Sequence, residues 1–128
     1  MTTTSPDTLT STVDGYLAAW NERDAAKRLE LVAQVWADDG ILTDPPASGT
    51  GHEQISGIHA ALHEQFPGHQ FVRASGVDAH HGFLRFAWHL VGPDGAVALA
   101  GMDVGVLAAD GRLARIVGFF GDLPPAEG

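Results

Sequence analysis

At 128 residues, with 45% hydrophobic and 18% charged side chains, the chain is long enough to bury a core and far from the charge-rich composition of disorder. Its formal charge of −9 argues against nucleic acid or an anionic membrane as partner, since both need a concentrated positive surface, and favours an apolar, neutral or weakly polar small molecule. The absence of cysteine excludes a disulfide framework, a thiol nucleophile and a thiolate metal site.

The opening MTTTSPDTLTST lacks the basic-then-apolar build of a signal peptide, and no apolar run reaches membrane-spanning length, so the expected location is the cytoplasm. One domain over residues 1–128 is expected, with residues 1–5 a flexible leader. Ser5-Pro6-Asp7 reads as a helix start: a capping hydroxyl, a proline whose missing N–H costs nothing there, and an acid at the positive dipole end. The helix runs to about Asn21, and Leu9, Val13, Tyr16, Leu17 and Trp20 form a buried stripe that points Tyr16 inward. Asp24 caps a second helix to about Ala37, with Leu29, Val32, Val35 and Trp36 as its apolar face. A short strand, Ile41 to Asp44, is ended by Pro45-Pro46; Ala47 to Gly51 reads as a loop. A third helix runs from about His52 to Gln65 with Ile55, Ile58 and Leu62 on one side.

From His69 the apolar period changes to two, and turn signals at Asp78 to Gly82, Gly92 to Gly95 and Asp110-Gly111 divide the remainder into four strands. Three helices followed by an antiparallel meander give an α+β layout, with helices on one face of a strongly bent sheet. A tight hairpin at Gly92 to Gly95 would set Asp103 opposite Leu84, Gly101 opposite Phe86 and Leu99 opposite Trp88. A two-residue turn at Asp110-Gly111 would set Asp103 across from Gly118, with Ile116 and Phe120 on the same face. Asp103 is then a carboxyl in an apolar wall, where it must hold its proton or find a partner. Glycines at 101, 105 and 118 leave either a cavity or a sharp bend beside it.

The segments Gly15-Tyr16-Leu17-Ala18-Ala19-Trp20-Asn21, Trp36-Ala37-Asp38-Asp39-Gly40 and Thr43-Asp44-Pro45 resemble the amino-terminal half of bacterial ketosteroid isomerases. Met102-Asp103, Ala109 to Leu113 and Gly118-Phe119-Phe120-Gly121 resemble that family's last two strands. The rhythm from Trp20 to Pro45 looks most like SnoaL-like proteins of the wider NTF2-like superfamily. This resemblance implies a cone-like curved sheet (NTF2-like, cystatin-like) with three helices around an apolar pocket, and a homodimer paired through the outer sheet face. It matches Asp44 to the family's general base, Tyr16 to its tyrosine oxyanion donor and Asp103 to its protonated aspartic acid; ketosteroid isomerases are the type case of that pairing. The implied activity is that of a cofactor-independent isomerase, cyclase or lyase moving a proton next to a carbonyl, with no metal or organic cofactor.

The candidate pocket lining is Trp20, Trp36, His59, Leu84, Phe86, Trp88, Leu99, Ile116 and Phe120. His59 and His63 have the i, i+4 spacing of a metal pair, but no third ligand stands in defined relation to them, so no metal is expected. Alternation puts Arg85 on the outer face; an inward turn at a bulge would instead make an Asp-Arg-Asp water-activating set with Asp44 and Asp103. The scaffold also serves non-catalytic proteins, so a small-molecule binding or scaffold role stands as the alternative.

Overall fold

The computed structural model describes residues 5–127, so residues 1–4 of the expected leader lie outside the described residues. Ser5 accepts the Thr8 N–H at 3.2 Å and caps α1, Pro6–Asn21, whose expected stripe is buried in full. Asp24 caps α2, Ala25–Val35, by accepting the Lys27 N–H at 3.0 Å. This helix ends before the expected Ala37, because Trp36 adopts extended backbone and opens β1, Trp36–Asp44. The inward face of α2 is also rotated from the expected one. Leu29 is 36% exposed, whereas Arg28 is 6% exposed and Val32 fully buried. The Arg28 stem is covered while its Nε donates to Ser56 Oγ at 2.9 Å and its terminal nitrogen to Glu22 O at 3.1 Å, placing a cation at the carbonyl end of α1.

Pro45-Pro46 turns β1 back onto β2, Ala47–Thr50, with Asp44 opposite Ala47. The stretch expected as a loop is a strand because it covers the open edge of β1. After α3, His52–Gln65, come β3, Gln70–Arg73, β4, Asp78–His80, β5, Phe83–Val91, β6, Val97–Leu107, and β7, Leu113–Phe120. The sheet order is β2-β1-β7-β6-β5-β3, with β4 also on β5. The expected Asp78 to Gly82 turn shrinks to His81-Gly82, both at positive φ, which suits a two-residue hairpin.

The pairs are antiparallel except β1 with β7, which run parallel and make the sheet mixed. The direction of β7 is fixed by its hairpin from β6, and that of β1 by its exit from α2. Between Trp36 and Ile41 the β1 register shifts, and Asp38 and Asp39 bulge into solvent. Across β5 and β6, Asp103 lies opposite Phe86, Gly101 opposite Trp88 and Leu99 opposite Leu90, two residues from the expected register. The longer connection, closed by Gly92 N–H to Ala96 O at 2.9 Å, and an irregularity at Leu90 to Val91 account for the slip. A shift of two keeps every side chain on its face. On the other side Asp103 pairs with Gly118, as the turn spacing requires.

The helices cover the concave face of this sheet. Asn21, at the end of α1, grips the edge strand β3 by donating to Phe71 O at 2.9 Å and accepting its N–H at 2.8 Å. Among the described residues no helix is long and apolar enough to cross a membrane.

Gly101 is a tight point of the sheet's inner face: a β-carbon there would collide with the Trp88 indole and with Phe119 O. Gly101→Ala is therefore expected to cost about 1–3 kcal/mol of stability through overpacking. Denaturant unfolding checks this; an unchanged midpoint would mean that the indole can shift freely.

Candidate active site

Asp103 projects from the middle of β6 into the concave face, where it is 3% exposed. Tyr16, on the inward stripe of α1, donates its hydroxyl to Asp103 Oδ2 at 2.7 Å. Trp88, on β5, donates its indole N–H to Asp103 Oδ1 at 2.9 Å. Burial pushes the Asp103 carboxyl up, the two hydrogen bonds pull it back, and the Asp44 charge raises it again, leaving it at about 7. Burial, followed by the charges of Asp103 and Asp44, raises Tyr16 well above its ordinary value, so it stays a phenol and a donor.

Asp44 ends β1, where the following proline favours extended backbone. Burial raises its carboxyl to about 6. The strand order sets Asp44, Gly118 and Asp103 in one row across β1, β7 and β6. Two strand spacings would hold the outer two backbones roughly 10 Å apart, yet their side chains lean toward the bare middle position. A β-carbon on Gly118 would overlap Asp44 Oδ1 and lie 2.9 Å from Asp103 Oδ1.

Tyr16, Asp44 and Asp103 all border one cavity of about 780 Å³. Of the expected lining, Trp20, Trp88, Leu99 and Phe120 border it too. Trp36, His59, Leu84, Phe86 and Ile116 do not; they are core. Trp36 and Phe86 pack on the Tyr16 ring, each with centroids 5.9 Å away. Leu84 and Ile116 meet over Gly105, where a β-carbon would lie 2.7 Å from Ile116 Cδ1 and 3.2 Å from Leu84 Cδ1. The three glycines thus admit close approach by neighbouring side chains; none marks an empty gap.

His59 lies behind the pocket wall, fully buried, with its ring centroid 4.0 Å from that of Trp20. Burial, then Arg28 and His63, lower it to about 3, so it is a neutral core ring. His63 turns its Nε2 to Trp20 O. Among the described residues no three His, Asp or Glu side chains are grouped as a metal site. Arg85 pairs with Asp78 at 2.8 Å on the outer face, its side chain 63% exposed, so no Asp-Arg-Asp set forms.

The wall that sequence reasoning missed comes from α3 and β2. Gly57, Ile58, Ala61 and Leu62 face the cavity, with Ser48 and Gln54 as polar members. The signal was present: two small residues at i, i+4 beside an Ile and a Leu at the same spacing, and a β-carbon on Gly57 would meet nothing within 4 Å.

The SnoaL-like domain family matches residues 13–116. Among solved structures, a candidate isomerase of the SnoaL-like family from Agrobacterium tumefaciens is 39% identical, over 91% of this chain and 99% of that one, with a TM-score of 0.86. A cystatin-like-fold protein of unknown function from Methylobium petroleophilum shares the fold at 20% identity, over 99% of this chain and 84% of that one, TM-score 0.75. A candidate SnoaL-like polyketide cyclase from Jannaschia sp. shares it at 19% identity, over 94% and 91%, TM-score 0.67. No curated protein matches the sequence.

Asp44 and Asp103 hold protons more tightly in the folded chain, at about 6 and about 7, than an unfolded aspartate at roughly 3.9. Their contribution to stability is full below the unfolded value and is lost as pH rises through the folded values. Asp103→Asn should therefore gain on the wild type steadily between about pH 4 and pH 7. Urea unfolding of both proteins across that range checks this; parallel curves would mean that Asp103 titrates normally.

Proposed function

The chain belongs to the SnoaL-like family, and on that premise we propose that it is a cofactor-independent acid–base enzyme, an isomerase, cyclase or lyase that moves a proton next to a carbonyl. The observation that carries the reading is the convergence on one apolar cavity of two carboxyls with raised pKa and a buried tyrosine. Asp44, which ionises at the lower pH, takes the proton from the carbon beside the carbonyl. The carbonyl oxygen faces Asp103, which Tyr16 holds in place, and the charge that develops there is met by a hydrogen bond in a water-poor site. Among the described residues no Lys, Arg or His borders the cavity, which supports an uncharged ligand over a carboxylate or phosphate.

The two carboxyls also predict the pH window. Base chemistry requires Asp44 ionised and Asp103 protonated, so activity should peak between about 6 and about 7 and fall on both sides. A direct test is uptake of solvent deuterium beside the carbonyl of benzylacetone, an apolar ketone, followed by NMR. Asp44→Asn should slow it by at least about 100-fold. Exchange that is absent in the wild type would favour a binding protein, and exchange indifferent to Asp44 would overturn Asp44 as the base.

The same reading includes a homodimer. Met102, Val104 and Phe119 stand together on the outer sheet face at 40–53% exposure, and pairing of two copies there would cover them. Sedimentation should give a dimer that Phe119→Asp dissociates; a wild-type monomer at every concentration would refute it.

A further inference from the structure

Asp103 is held in an unusual way for a group that keeps its proton. Both oxygens accept a hydrogen bond, Oδ2 from Tyr16 at 2.7 Å and Oδ1 from Trp88 at 2.9 Å. Donors on both oxygens stabilise the carboxylate, the form left after the proton has gone. The Tyr16 hydroxyl proton is itself committed to Asp103, so a ligand oxygen finds one transferable proton here and not two fixed donors. Asp44 Oδ1 reaches the same bare spot over Gly118 as Asp103 Oδ1. A base and an acid therefore stand side by side on one wall of the cavity.

We propose that this pair eliminates water from a β-hydroxy carbonyl compound, with Asp103 as a true general acid and with Trp88 and Gly118 as positioning residues. The inference rests on Asp44 being the base of the proposed function. Asp44 takes the proton from the carbon between carbonyl and carbinol, the released electron pair forms the C=C bond, and the C–O bond breaks. In such a ligand the hydroxyl, not the carbonyl oxygen, faces Asp103, and the departing oxygen takes the Asp103 proton and leaves as water. Asp44 is then protonated and Asp103 ionised. Passage of that proton from Asp44 Oδ1 to Asp103 Oδ1 across Gly118 restores the starting state without another reactant. Because both carboxyls project from one wall, hydrogen and hydroxyl leave from the same face of the ligand. The order of the two carboxyls agrees: Asp44, at about 6, is the base and Asp103, at about 7, the acid.

The test compares two probes on the intact chain: benzylacetone, which reports proton removal alone, and the aldol adduct of acetone and benzaldehyde, which carries the leaving hydroxyl. Wild type should exchange the first and dehydrate the second. Asp103→Asn keeps an N–H donor but has no proton to give, so dehydration should fall at least about 100-fold while exchange falls less than about tenfold. Trp88→Phe keeps the apolar wall and removes one stabiliser of the carboxylate. It should move the alkaline limb of dehydration to higher pH, which loss of packing alone would not do. Exchange without dehydration, or equal dehydration by Asp103→Asn, overturns this inference and leaves Asp44 as base. Loss of both reactions in wild type overturns the proposed function as well.

Discussion

A carboxyl taken out of water must be neutralised, paired or hydrogen-bonded, and Asp103 meets that requirement with two donors from two other elements. The arrangement is reciprocal. The Tyr16 hydroxyl and the Trp88 indole N–H are themselves buried polar groups, and Asp103 satisfies both. Removing Asp103 leaves both donors without a partner, and removing either donor leaves one carboxyl oxygen unpaired, in a low-dielectric interior where the loss exceeds that of one exposed hydrogen bond. The triad also sets long-range geometry. It ties α1 to the middle of the sheet, and it is made possible by Gly101: Trp88 lies opposite that residue and not opposite Asp103, so the indole must cross a bare backbone to reach its acceptor.

The same logic explains Gly118. Any side chain there would occupy the place where the two carboxyls approach, and by pushing them apart would weaken the repulsion that helps keep a proton on Asp103. A chain selected for stability alone would separate two like charges or give them a cation. This one brings them together with no Lys, Arg or His among the described residues of the cavity wall, a local conflict of the kind that functional sites retain.

Much of this was legible in the sequence, because it depends on periodicity. The stripe of α1 turned Tyr16 inward, and strand alternation put Asp103 on the face of Trp88 and Phe120. The register of β5 against β6 was two residues off, yet the face survived because the error was even. Depth was not legible. Alternation separates inner from outer face, but whether Leu84, Phe86 and Ile116 line a cavity or fill the closed end depends on how far the opposite wall stands, which no local pattern encodes. Trp36 fits a helical stripe and a strand equally well, and tertiary pairing decided it. Arg28 was missed because its burial follows from the α1 carbonyls it meets, a contact that only the fold creates.

Acid–base work at one pH by two side chains of the same chemical type requires that their surroundings differ. Here the difference comes from position along the sheet. Asp44 sits at a strand end beside a two-proline turn and is only partly covered, so burial alone raises it. Asp103 sits mid-strand, almost wholly covered, where burial would carry it higher were it not for Tyr16 and Trp88. The two donors thus do more than fix geometry: they draw the deeper carboxyl back down against the effect of its burial. In the proposed elimination the proton passes from Asp44 to Asp103, and Asp103 must still be able to give it up. Were Asp103 buried without donors, it would hold its proton too tightly to give it to a departing oxygen; were it as exposed as Asp44, neither carboxyl would be the acid.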